Sequence, residues 1–412
     1  MKKLFYIEDR TENRISYYHL LCFLLLLPFD RFYSTIVLVS FLVHSVIFLN
    51  KDSFKKIRST TFILQSVFLV TMLSAIYAVS FSGGMNIITK QLAILLFPLL
   101  LSISSLDIDK YRPRLLEVFA IGCTCTVLYL FGDALHVIWY EKLPVRTLFT
   151  HAFVHHNFSL PLDLHATYFS MFLVISVVYF LQQVLIEKSL NKRLFMIGCL
   201  LILIAGLVQL SSKSAFIALA IIVNIGIPWF LLKKTAKLRF LFISLSLSVL
   251  FATFVLTVDV FRERFFADFK NDLFKGAESE KLDWRIYRWE AAIDLIKRSP
   301  VIGNGTGAEI PMLKELYYEK KMYSAYLNSL NVHNQYLSFL INSGIAGLII
   351  YISTLFWGSW LAIKRKDMLL FSFMILISVV SFSEDILDVN KGIFFYAFFF
   401  SFFVIRTRKQ LT

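Results

Sequence analysis

The chain has 412 residues, of which 58% are hydrophobic and only 17% charged, with a mean hydropathy of +0.69. A soluble globular domain is nearer half apolar and a quarter charged, so that class is excluded and a polytopic membrane protein is implied. The net charge of +14 raises nucleic acid as a partner, but the placement of the charges along the chain excludes it.

Apolar runs long enough to cross ~30 Å of hydrocarbon recur along nearly the whole sequence. In chain order they fall at roughly 16–29, 33–49, 62–81, 87–105, 115–140, 165–186, 194–210, 214–232, 240–258, 336–362, 368–383 and 392–405. The expected fold class is an all-α polytopic membrane protein of about 12 transmembrane helices, with one large periplasmic helical loop between spans 9 and 10. The expected organisation is therefore 1–258 for spans 1–9 and their short loops, 259–335 for the large loop, and 336–412 for spans 10–12.

With the amino terminus inside, inward-facing segments hold 24 of the 42 Lys and Arg residues, among them Lys55, Lys56, Arg58 and Arg365. Short outward connections and their borders hold 6, and the other 12 lie in the long loop beside 12 Asp and Glu. An excess of cations in cytoplasmic loops sets orientation, so both termini are expected in the cytoplasm and the long loop outside. The amino terminus lacks a small-residue cleavage site, and the first run reads as an uncleaved span. Cys22, Cys123, Cys125 and Cys199 all fall within apolar spans, where they read as packing residues rather than a disulfide framework or a metal site.

Candidate chemistry gathers at the outward ends of the spans. Asp133 and His136 are three apart in span 5, and intramembrane ionisable groups are functional candidates by default. His155, His156 and His165 flank the entrance to span 6, Lys213 opens span 8, and Glu384, Asp385 and Asp388 crowd the last outward loop. An acid–histidine cluster can hold a metal, but no spacing here is diagnostic of one.

Within the long loop, DWRIYRWEAAIDLIKRS (283–299) is helical in pattern. Asp283 can cap its start, and Trp284, Tyr287, Ala291 and Leu295 share a face. Arg285 and Arg288, three apart, can project together, and a pair of guanidinium forks suits a phosphate or pyrophosphate. The alternative is an amphipathic surface helix with solvated arginines. The run Gly303-Asn-Gly305-Thr-Gly307 follows a helix rather than a strand, so the dinucleotide fingerprint does not apply. It is either an anion-binding loop or simply a turn. His333 and Asn334 then open span 10 in VHNQYLSFLINSGIAG. A histidine there can accept a proton from a hydroxyl nucleophile or can serve as an interfacial cap. Gly344 and Gly347 are spaced to admit a neighbouring helix.

The order of these features resembles the O-antigen ligase and O-antigen polymerase superfamily: Arg285 with RWEAA, Ser299-Pro300, the glycine run, then HNQYLSFLINSGIAG. The resemblance implies a metal-independent, membrane-embedded glycosyltransferase in the bacterial inner membrane, with its active face periplasmic and no cofactor. Its expected partners are an undecaprenyl-pyrophosphate-linked glycan donor, a lipid A–core or other glycan acceptor, and the bilayer, with no nucleic acid. By resemblance His333 is the catalytic base and Arg285 binds the donor pyrophosphate, with Arg288 as a neighbouring candidate. Lys213 stands where many members carry arginine, keeping the charge but losing the fork. Asn334, Asp385, Gly303 and Gly305 are supporting candidates. The polymerase of the same superfamily, a protein-glycosylating relative, and a transporter or flippase are the competing readings.

Overall fold

The structure, a computed structural model, describes residues 6–29, 31–267 and 285–406. The proposed Asp283 cap and the Trp284 face position lie outside the described residues. The described chain is helical, with no strand among the described residues.

Among the described residues, helices fall on each of the twelve expected spans. They are α1 (Thr11–Leu26), α2 (Arg31–Ile47), α3 (Ser59–Ser74), α4 (Phe81–Ile103), α5 (Ile108–Tyr140), α6 (Ala166–Ile186), α7 (Leu190–Leu210), α8 (Lys213–Phe230) and α9 (Lys234–Thr257), followed after the large loop by α13 (Gln335–Arg365), α14 (Met368–Val380) and α15 (Asn390–Val404). Eight are long and apolar enough to cross a bilayer by themselves, whereas α1, α2, α14 and α15 have 13–17 residues. Three of the helices between, α10 (Arg285–Arg298), α11 (Glu309–Glu319) and α12 (Tyr323–Leu327), belong to the loop.

Helices α6 and α15 form the axis of the bundle. Every residue from Ala166 to Phe180 is buried, and so is every residue from Gly392 to Val404. A helix apolar on all sides is suited to that position. Phenylalanines of α15 interlock with neighbours: Phe398 lies 4.9 Å from Phe23 of α1, and Phe399 lies 5.0 Å from Phe119 of α5. Lipid tails are as apolar as these side chains, so the bundle is held by close packing rather than by water exclusion. At the periphery, α2 turns Val39, Val43 and Val46 outward, each more than half exposed, as a lipid-facing stripe requires.

The large loop carries a small core of its own. Ala291, Ala292 and Leu295 of α10 meet Leu313 and Tyr317 of α11, Ala325 of α12 and Ile341 of α13, all fully buried. In water each large apolar side chain so buried contributes about 1.5–3 kcal/mol, which is what seats the loop helices on the mouth of α13. At the other end of the bundle, Arg112 makes a bidentate pair with Asp367 (2.7 and 2.8 Å), joining α5 to the turn between α13 and α14.

Candidate functional site

The site is built around the four residues that lead into α13. Asn334 caps the helix: its side-chain oxygen accepts from the Tyr336 and Leu337 amides at 3.0 and 3.2 Å. His333 precedes it in the left-handed region, at φ +49°. That conformation costs a non-glycine residue about 1–2 kcal/mol and persists only where neighbours dictate it. Here they do. The Arg288 guanidinium donates to the Asn331 carbonyl and the Trp289 indole to the Val332 carbonyl, each at 3.1 Å. Glu309 accepts the Val332 amide at 3.0 Å. Both oxygens of Asp385 are taken by the His333 and Asn334 amides, at 3.1 and 2.8 Å. The turn is thus held from α10, from α11 and from the 381–389 connection.

So fixed, the His333 ring projects with its side chain about a quarter exposed, and Nδ1 lies 3.4 Å from the buried Glu384 carboxylate. Glu384 also stands 4.0 Å from the Arg285 guanidinium. Burial alone would raise the Glu384 pKa, but the His333 hydrogen bond and the charges of His165 and Arg285 outweigh it and pull it down to about 2. Glu384 is therefore an ionised acceptor, toward which a proton on Nδ1 can be donated while Nε2 points away from it.

Lys213, Arg285, Arg288, His333 and Glu384 all line one cavity of about 570 Å³. The same cavity is lined by His155, His156, His165 and Arg264. Burial, then the Arg264 charge, presses His155 down to about 2; burial and His165 press His156 to about 4. These two rings stay neutral near pH 7 and serve as hydrogen-bonding groups, with Arg264 in contact with the His155 ring. Asp133 and His136 do not line this cavity.

Three more carboxylates sit behind the turn. Oxygens of Glu309, Asp385 and Asp388 lie within 4.8 Å of one another, and Glu309 and Asp388 face a second cavity of about 590 Å³ on the other flank of the turn. Burial raises all three, and their mutual repulsion adds to it for Asp385 and Asp388. The Ser338 hydroxyl donates to Glu309 at 2.5 Å. Asp385, a supporting candidate, thus shapes the His333 turn through backbone contacts, and Asn334 likewise acts through its cap.

The glycine run is a wedge. Gly303, Gly305 and Gly307 all have positive φ, and α13 is broken where they meet it, at Gly344 (φ +62°, ψ −163°). A Cβ on Gly344 would lie 2.3 Å from the Val301 carbonyl oxygen, and one on Gly303 would lie 2.5 Å from the Gly344 nitrogen. The run's amides are occupied: Gly303 donates to Ser299, Asn304 to the Ile341 carbonyl at 2.8 Å and Gly305 to that of Asn342 at 2.9 Å. In return, the Ile345 amide donates to the Pro300 carbonyl at 2.9 Å. Those amides are spent on the broken helix rather than held open for an anion. Nor is α10 a solvated surface helix, since Arg288 is only 6% exposed.

The sequence displays the Glu384 loop and the three histidines but assigns them no roles. Glu309 gave no signal at all, because nothing in one dimension shows an acid two residues past a glycine run to be buried.

Comparison with known proteins fits this arrangement. Residues 198–352 match the family model described as O-antigen ligase, a stretch that includes Lys213, Arg285, Arg288, the glycine run and His333. An uncharacterized protein of Haemophilus influenzae is 25% identical over 169 residues, which span 40% of this chain and 42% of that protein. The chain thus aligns with under half the length of that relative.

Proposed function

We propose that this chain, whose residues 198–352 match the O-antigen ligase family, transfers a glycan from undecaprenyl pyrophosphate to a hydroxyl of lipid A–core. The match supports ligase- or polymerase-type function in general; the donor, the acceptor and the periplasmic face are our reading. What supports it most is the convergence of Lys213, Arg285, Arg288 and His333 on one cavity from three separate helical elements.

In this reading the acceptor hydroxyl attacks the anomeric carbon of the donor sugar. The bond from that carbon to the phosphate oxygen breaks, and undecaprenyl pyrophosphate leaves with one more negative charge. Arg285 and Lys213 face that charge, already in place and needing no reorganisation. The hydroxyl proton passes to Nε2 of His333, and Glu384 holds the ring through Nδ1 and stabilises the cation that forms. Arg288 is first a positioning residue, since its head is bonded to Asn331. No step in this scheme calls on a metal ion.

The polymerase reading uses the same site with a lipid-linked repeat as acceptor. A transporter would place its polar breaks along a path near the midplane. Here the break at Gly344 is filled by the 300–305 turn, and the ionisable groups cluster at one mouth.

Deleting the gene and resolving the envelope glycolipids on a gel tests the assignment. Loss of long chains from lipid A–core, with polymerised glycan accumulating on the carrier, is expected. Single repeats alone would make it the polymerase. Against wild type, His333→Ala and Arg285→Ala should each lower transfer by about 10²-fold or more at unchanged membrane abundance, with Arg285→Lys also impaired. Wild-type transfer in His333→Ala and Arg285→Ala would sink the site.

A further inference from the structure

A concavity of about 840 Å³ lies at the other end of the bundle, some 30 residues of helix away from His333 along α13. Six cations line it: Arg10, Lys55, Lys56, Arg58, Arg365 and Arg406. They arrive from four separate places in the chain: before α1, between α2 and α3, at the end of α13, and after α15. Among the described residues, Asp107 is the only carboxylate on its wall, and that side chain is engaged in capping α5 through the Lys110 amide at 3.1 Å.

A cytoplasmic excess of Lys and Arg is ordinary for a membrane protein, but such a bias scatters cations along loops and does not require them to face one hollow. Here four of them are held by contacts within the protein: Arg406 pairs with Asp367 and Asp109 (3.5 and 3.8 Å) and Lys55 with Asp52 (2.8 Å), while two are held at the rim by carbonyls. Lys56 donates to the Ile103 and Ser104 carbonyls (3.3 and 3.4 Å), and Arg365 to the Val404 carbonyl (2.7 Å). Hydroxyls of Thr60, Ser102, Ser104 and Ser105 share the wall, as does the apolar pair Val404 and Ile405. Cations and an apolar margin at a helix-end depth are the complement of a phosphate attached to a lipid.

We infer that this basic cavity is a binding site for a phosphate anion, and that its occupant is the headgroup of an anionic glycerophospholipid of the adjoining leaflet. Basic hollows between membrane helices recognise such headgroups by charge and hydrogen bonding. The site is separate from the transfer chemistry and stands whether or not that reading holds.

Native mass spectrometry of the full chain in neutral detergent tests it, with phosphatidylglycerol and phosphatidylcholine added at equal concentration. Phosphatidylglycerol should be retained about tenfold or more over phosphatidylcholine. That preference should vanish in the combined Arg10→Gln, Lys55→Gln, Arg58→Gln variant, whose lipid-free unfolding temperature matches wild type. If millimolar inorganic pyrophosphate fails to displace the lipid, the membrane source is supported; if it binds lipid-free protein and displaces lipid, the phosphate site stands with a soluble occupant. Equal retention of the two lipids, or the same preference in the variant, overturns the proposal. Should the variant misfold, a photoreactive phosphatidylglycerol on wild type decides: crosslinks must fall within residues 55–61 or 101–107, and crosslinks elsewhere alone reject the site.

Discussion

Three acids in one short connection show how far environment governs a side chain. Glu384 is ringed by His333, His165 and Arg285 and is held near 2, fully charged. Asp388, four residues on, has Glu309 for a neighbour, and burial together with that like charge lifts it from 3.8 to about 7. Lys90 opposes the rise without cancelling it. The consequence is a pH dependence of known sign. An acid whose folded-state pKa is raised binds more protons folded than unfolded between the two values, so folding stability falls as pH climbs from about 4 to about 7 and levels off above. Asp388→Asn removes that penalty and relieves Glu309 as well. Thermal unfolding in detergent should show the variant gaining on wild type from pH 4 to pH 8, with the widest gap above 7. A gap that does not change with pH would mean that Asp388 titrates normally.

At the scale of elements, the glycine run and the break in α13 are one joint. Each half leaves backbone groups that the other satisfies: Asn304 and Gly305 donate to the carbonyls freed at Ile341 and Asn342, while Pro300 accepts from Ile345. The joint fixes where the first nine residues of α13 point, and therefore where His333 points. Gly344→Ala forces both a positive φ on a side-chain-bearing residue and a Cβ 2.3 Å from the Val301 oxygen, so it should destabilise by about 1–3 kcal/mol and cut transfer with it. Gly132→Ala and Gly198→Ala are the controls, since a Cβ at either meets nothing within 4 Å, and alanine in a helix interior should be neutral or better. Equal unfolding temperatures for Gly344→Ala and the two controls would refute the joint. This joint also marks the edge of what one dimension reveals. Both glycine sets were visible as spacings, and Gly344 was expected to admit a neighbouring helix. That the 300–305 turn itself is the neighbour depends on a chain reversal through α11 and α12, which no local pattern encodes. For the same reason Glu309 was invisible, whereas His333, Arg285 and Lys213 were legible because their chemistry is conspicuous beside apolar helices.

For the whole molecule, a helix falls on each of the twelve apolar runs among the described residues, and eight of them have the length that bilayer thickness imposes. Boundaries drifted where polar residues extend a helix past the hydrocarbon: α1 begins at Thr11 rather than near 16, and α5 at Ile108 rather than near 115. What the helices do not display is which end faces out, and the proposed function depends on that. From the charge asymmetry we expect Lys188, Lys192 and Arg193 inside and the connection at Lys142 outside, on the same side as the cavity of His333. With Cys22, Cys123, Cys125 and Cys199 replaced by alanine, Lys142→Cys should react with a membrane-impermeant maleimide in spheroplasts, and Lys188→Cys only after permeabilisation. The two positions bracket α6, so a single comparison reads the direction of the helix at the axis of the bundle. The reverse labelling would turn His333 toward the cytoplasm and would overturn the proposed transfer at the outer face.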